Sequence, residues 1–313
     1  MAIRRRALPR GWYPDEPESL RELVLSWVEE KGKSVRLSPD GDALAAIAPH
    51  AGWAFSGRIA ALSVAALANS ISGADGSAKD PSGPRPTLAV FGGHLPPGAQ
   101  ALAAPESEFD TPLGPLAADL ELRQALDDRL RSCPAENSPS RAGHGRRVGL
   151  GVDEEPDNTV EVLLPLVAVL MPSVRVLWLR APNDESSIKL GEALYAAAGD
   201  LGRKTLCLGS SDLTHYGPNY GFSPKGRGGA AEAWVRGTND KRFIDALLAL
   251  DSARALALGE AERSACSSGA AAAALAFALS GGASRARLLK YATSLDLRPD
   301  DSFVGYASVA FYR

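Results

Sequence analysis

Three of the four histidines in this 313-residue chain stand in short glycine- or proline-bounded segments, each after a strand-like run. They are His50 in APHAGWAFSG, His94 in FGGHLPPG and His215 in SSDLTHYGP. Imidazole is the commonest ligand for borderline metals and the usual proton carrier near neutral pH. In a chain so poor in histidine, this placement predicts one shared metal or acid/base site. The fourth, His144, lies in RAGHGRR, a basic glycine loop with no strand before it, and reads as a solvated side chain. Two histidines with one anionic donor and open positions form the arrangement used by non-haem iron in oxygen chemistry.

Two residues could supply the anion. Asp212 precedes His215 in the same segment and could ligate or orient that imidazole. Cys266, in RSACSSGAAAAALAFAL, lies just ahead of a helical pattern, where unpaired N–H groups and the helix dipole favour a thiolate. The residue types alone leave the choice open. Cys207, inside the apolar TLCLG, reads as an inert core thiol, and Cys133, in an irregular loop, as neither ligand nor core. Each segment also has a plain structural reading. His50 could be a hydrogen-bonded loop residue ahead of a helix capped at Ser56, Cys266 a small buried residue at a turn, and SSDLTHYG an Asp-capped turn.

The elements that must bring these residues together alternate along the chain. An amphipathic helix is predicted over 17–31, then strands at 43–48 and 87–91 separated by a helix over 58–67 and a Ser/Gly/Pro/Asp-rich insertion near 70–86. A helix over 117–130 precedes a second irregular insertion near 132–151. Helices over 160–170 and 187–198 lead to strands at 174–179 and 205–208. A glycine-rich loop is expected over 217–237, then helices over 241–250 and 268–279 and closing strands at 286–292 and 304–311. Such alternation predicts a single α/β domain with a mixed, largely parallel central sheet flanked by helices. In such sheets ligands bind beyond the carboxyl ends of the strands, where His50, His94 and the Asp212/His215 pair would converge.

Composition limits the function classes. A formal net charge of -3 with 45% hydrophobic and 23% charged residues fits an ordinary enzyme-sized globular chain and points to neither nucleic acid nor membrane as partner. The N-terminal RRR lacks a following apolar stretch, so neither a signal peptide nor a polybasic anchor is expected, and a cytoplasmic location is. Three cysteines at unpatterned spacing do not make a disulfide framework.

Six segments in order, ALPRGWYPDEPESLRELV, APHAGWAFSGRIAA, FGGHLPPG, VEVLLP, SSDLTHYG and LLKYATSLDLRPDDSFVGYASVAFY, resemble the MEMO family. That family includes the proteins named as component B of the AmmeMemoRadiSam system, and it is similar in fold to class III extradiol dioxygenases, which open catechol rings with Fe(II). The resemblance implies a metal, Fe(II) or copper, on His50, His94 and Cys266, with the thiolate standing where the dioxygenases place a carboxylate. It implies acid/base roles for His215 and its neighbour Asp212. It implies as partners a small-molecule substrate and radical SAM and AMMECR-domain proteins. An alternative is a non-catalytic binding module whose pocket recognises an anionic or aromatic group, as in the phosphotyrosine-peptide recognition associated with animal members. This chain departs from the family pattern at NTVEVLLP, where Asn158 stands at a position often held by histidine, with Glu161 retained. An amide does not titrate near neutral pH, so any proton transfer by that histidine is lost. Ser267 and Ser268 also follow Cys266 where glycine and aromatic residues are common.

Overall fold

A computed structural model describes residues 2–30, 33–34, 41–71, 85–132 and 149–313. His144 and Cys133, and most of the two expected insertions near 70–86 and 132–151, lie outside the described residues.

Six longer strands carry the sheet: β1 (Ala43–Ala48), β2 (Thr87–Leu95), β3 (Arg175–Pro182), β4 (Thr205–Ser210), β5 (Arg285–Thr293) and β6 (Phe303–Tyr312). The chain is a mixed α/β domain with a nine-stranded sheet. Its order is His215–Tyr216, β6, β1, β4, β2, β3, Leu102–Ala103 and Gly151–Val152, with β5 paired to β6. The four central strands β1, β4, β2 and β3 are mutually parallel, while β6 runs antiparallel to β1 and β5 antiparallel to β6. A small separate sheet joins Ile3–Arg4, Glu108–Phe109 and Leu116–Ala117.

Side chains alternate between the sheet's two faces, as the twofold strand period requires. Ala46, Leu88, Val90, Trp178 and Leu208 join one core with α1 (Pro17–Val28) and α2 (Trp53–Ile71). Ala45, Ile47, Phe91, Leu179 and Cys207 join the other, with α3 (Leu120–Ser132), α4 (Ser186–Asp200), α5 (Asp240–Leu248), α6 (Ser252–Glu262) and α7 (Ser268–Ser280). Both faces are therefore covered, and this is why the central strands read as continuous apolar runs. Helix α7 is buried almost throughout, and its alanines let it lie flat on the sheet beneath α4. Helix α2 is long and apolar enough to cross a membrane, but 67% of its apolar window is buried inside this fold, so it is a core helix.

The expected helix over 160–170 is broken into Asn158–Glu161 and Leu164–Leu170, and three further elements differ from the sequence expectation. Helix α2 starts at Trp53, not near Arg58; Ser56 lies inside it and donates to the Ala51 carbonyl instead of capping. Its start is fixed by Trp53 N–H donating to the Trp12 carbonyl at 2.7 Å, a contact no local pattern announces. The expected loop over 217–237 is helical from Gly229, passing through a π turn at Val235–Asn239 into α5. Helix α6 is additional to the expected elements; it is capped by Asp251, whose side chain accepts from Arg254 N–H.

Candidate metal centre

The carboxyl ends of the parallel strands deliver the predicted residues to one place. His50 follows β1 by two residues, His94 is the penultimate residue of β2, and Asp212 follows β4 by two. Cys266 sits two residues before α7 and is tied to the same edge from three sides. Its N–H donates to the Asp212 carbonyl at 3.1 Å, its carbonyl accepts from Asn183 Nδ2 at 3.3 Å, and the next N–H, of Ser267, donates to Ser211 Oγ at 3.2 Å. Asn183 also accepts from Gly269 N–H at 2.9 Å, which fixes the start of α7 against the end of β3.

The ligand-type atoms of His50, His94 and Cys266 all lie within 4.8 Å of one another. Cys266 Sγ is 3.3 Å from His50 Nε2, and the two imidazoles meet edge to face with centroids 5.1 Å apart. His50 is buried, Cys266 is half-buried and His94 is exposed, so the three donors line an open-sided cup. Such a cup leaves coordination positions for a ligand, as catalytic sites require.

Each imidazole has an outer partner. His50 Nδ1 is 2.9 Å from Ser210 Oγ, which itself donates to the Thr159 carbonyl, leaving Nε2 directed at the sulfur. His94 Nδ1 is 3.8 Å from Asp157 Oδ2, and that carboxylate is 3.3 Å from Arg180 Nη2 while accepting from Thr159 N–H at 2.9 Å. Outer partners of this kind fix ring orientation and are half of a metal site's design. Sequence reasoning missed all four of these residues. Arg180, a lone charge in the apolar strand VLWLRAP, and Asp157, placed to cap Asn158–Glu161, were the available signals.

The electrostatics favour a thiolate. Burial pushes the Cys266 thiol up, but His50 and His94 outweigh it and hold the group well below its ordinary value. Burial likewise opposes protonation of His50, yet Cys266 and Asp212 raise it. His94 is raised to about 10, chiefly by the facing Asp157 carboxylate and then by Cys266. A metal ion would take the place of protons on such a donor set, because it binds the thiolate and the neutral imidazole. By contrast, burial alone drives the Cys207 thiol up, in keeping with an inert core residue.

Asp212 is buried and accepts from His50 N–H at 2.7 Å, while its other oxygen lies 3.9 Å from His50 Nε2 and 4.0 Å from His215 Nε2. Burial raises its carboxyl above the ordinary value. At 4.0 Å the His215 contact is longer than a hydrogen bond, so Asp212 acts on His215 by charge and grips the His50 backbone directly. The Tyr220 ring meets the His215 imidazole edge-on at 4.9 Å. Asn158 Nδ2 donates to the His50 carbonyl at 3.2 Å. Glu161 serves the framework instead, accepting from Ala7 N–H, Leu8 N–H and Tyr13 OH and so fastening the N-terminal segment to the site wall.

A cavity of about 300 Å³ opens over the cup, and His50, His94, Asn158, Asp212 and His215 all contribute to its wall, with Tyr220 and Tyr306. Close packing keeps the cup tight. A methyl group at Gly93 would collide with the Ser267 side chain, and one at Gly269 with the Pro182 carbonyl, so both contacts need glycine.

Residues 4–310 match the family model described as Memo-like protein. A MEMO1 family protein of Methanopyrus kandleri is 30% identical over 98% of this chain and 98% of its own length. One from Pyrococcus furiosus is 27% identical, again over 98% of each. A crystal structure of an uncharacterized protein from Escherichia coli K12 superposes with a TM-score of 0.42 at 14% identity, covering 72% of this chain and 86% of that one. With the match running almost end to end, the chain belongs to the Memo-like protein family.

Proposed function

We infer that this chain is a cytoplasmic metalloprotein that holds Fe(II), or copper in its place, on His50, His94 and Cys266, and carries out a redox, dioxygenase-like reaction on a small molecule. The observation that supports this most is the gathering of three donor atoms within 4.8 Å at an open-sided cup, beneath a cavity of about 300 Å³. The donor set fits: imidazole suits both metals, and the thiolate, a soft ligand, particularly favours copper. When bound, the metal would supply one-electron chemistry and Lewis acidity toward a ligand in the cavity.

The chain's own residues supply the rest. His215, on the cavity wall and partly exposed, is the group to hold or move a proton at its imidazole for a bound hydroxyl. Its Nε2 stands 4.0 Å from Asp212 Oδ2, and the Tyr220 ring packs edge-on against the imidazole. Asn158 takes no part in proton transfer; its amide anchors the His50 carbonyl, so the proton work falls on His215.

The test is elemental analysis for iron, copper and zinc on protein purified without added metal, followed by oxygen uptake by anaerobically iron-loaded protein offered catechols. Stoichiometric iron or copper that is lost in His50→Ala, with oxygen uptake slowed in His215→Asn at unchanged metal content, is the expected result. Zinc in place of both redox metals, or full metal content in His50→Ala, contradicts the reading.

A further inference from the structure

Beside the metal cavity lies a second, larger hollow of about 670 Å³, and the two share Trp12 and Phe55 as walls. Its floor is an aromatic cluster: the Trp27 and Trp53 rings meet edge-on at 5.4 Å, and Tyr13 packs on Trp53 at 5.9 Å. The cluster is fixed in place. Trp53 Nε1 donates to the Val162 carbonyl, Trp53 N–H to the Trp12 carbonyl, and Tyr13 OH to Glu161. At the mouth, Phe55 is 42% exposed and Leu297 is 60% exposed, both against this hollow. Large apolar side chains left open around a preformed, aromatic-floored groove mark a ligand surface, and grooves of this size hold drug-sized molecules.

We propose that the ligand of this protein is an amphiphile whose polar head enters the cavity over His50, His94 and His215, and whose apolar tail lies in the groove between Trp27, Trp53, Phe55 and Leu297. The identity of the head rests on the metal reading above; the tail site does not. Trp12 and Phe55 border both hollows, so a head over the cup and a tail in the groove would lie against the same two side chains. The charged side chains do not oppose an apolar tail. Asp296 on the groove wall is held by Arg236 at 2.7 Å, and Arg58 and Lys290 are exposed and can extend into water.

The experiment titrates a series of 4-n-alkylcatechols, from methyl to hexyl, into metal-free full-length protein, reading the quenching of tryptophan fluorescence. Burial of each methylene strengthens binding by about 0.8 kcal/mol, about fourfold per carbon. Affinity should climb at that rate along the series, and the climb should flatten in Leu297→Ser and in Phe55→Ala, two exposed positions where substitution leaves the fold intact. Equal affinity along the series overturns the tail site, as does a climb that neither variant changes. A retained climb with no catechol consumption by iron-loaded protein upholds the tail site and removes only the ring-cleavage reading.

Discussion

His94 takes a backbone φ of 61°, in the left-handed region that residues with side chains rarely occupy. Such a conformation costs on the order of 1–3 kcal/mol and persists only where its surroundings over-determine it. Here the preceding Gly93 is clamped at both ends, its N–H donating to Thr159 Oγ1 at 3.1 Å and its carbonyl accepting from Arg180 Nε at 3.1 Å. The same Thr159 and Arg180 hold Asp157, which faces the His94 ring. One knot of side chains thus sets both the backbone and the imidazole of a candidate ligand. Replacing Asp157 with alanine should weaken metal binding about 10- to 100-fold while leaving the secondary structure unchanged, as loss of an outer partner does elsewhere. Competition against a chelator of known strength measures this, and undiminished affinity would show that Asp157 plays no part in holding the metal. His50, His94 and His215 stood out in the sequence because a chain with four histidines sets three of them in glycine- or proline-bounded segments, while residue type left Asp212 and Cys266 as alternatives and the resemblance to the MEMO family pointed to Cys266. Asp157, Thr159 and Ser210 did not, since aspartate and hydroxyl residues are common in loops and only the fold reveals which of them face an imidazole.

At the scale of elements, the site depends on how closely the end of β2 and the start of α7 approach. Ser267 is fully buried against Gly93, so Gly93→Ala inserts a methyl group where nothing can give way. Overpacking of this kind costs about 1–3 kcal/mol, and urea unfolding should register that loss. The segment bearing His215 is supported from the other side by α5. Asp240, fully buried at its start, accepts from Thr214 N–H at 3.0 Å and from Tyr291 OH at 2.8 Å. Burial nonetheless pushes its carboxyl up from 3.8 to about 6. Between those values the folded chain keeps a proton that the unfolded chain has lost, so this group's contribution to stability falls as pH rises. Relative to wild type, Asp240→Asn should gain up to about 3 kcal/mol between about pH 4 and pH 6 and show no further change above pH 7. A constant difference across that range would mean that Asp240 does not titrate there. The helix from Gly229 and the π turn that precedes Asp240 escaped the sequence reading because glycines at 217, 221, 226, 228 and 229 read as loop.

For the whole molecule, the alternation of apolar runs and helical patterns was enough to predict a mixed, largely parallel sheet, because strands buried on both faces announce themselves by hydrophobicity alone. What the pattern could not convey was strand order, and with it the reason for the site. Lying side by side as β1, β4, β2 and β3, the central strands bring the residues after Ala48, Gly93 and Ser210 to one rim, where α7 adds Cys266. Nor could it reveal that the N-terminal segment, fastened by Glu161, crosses the fold to wall both hollows with Trp12. The function proposed for this fold turns on whether His50, His94 and Cys266 form one metal centre with a sulfur ligand. Titration with Co(II), followed by electronic absorption, decides the point, since sulfur ligation produces a charge-transfer band that nitrogen and oxygen donors do not. One Co(II) per chain should bind, with a sulfur-to-metal band in the near ultraviolet that disappears in Cys266→Ser and with tight binding lost in His50→Ala. The same spectrum in wild type and Cys266→Ser, or no stoichiometric binding in wild type, would rule the centre out.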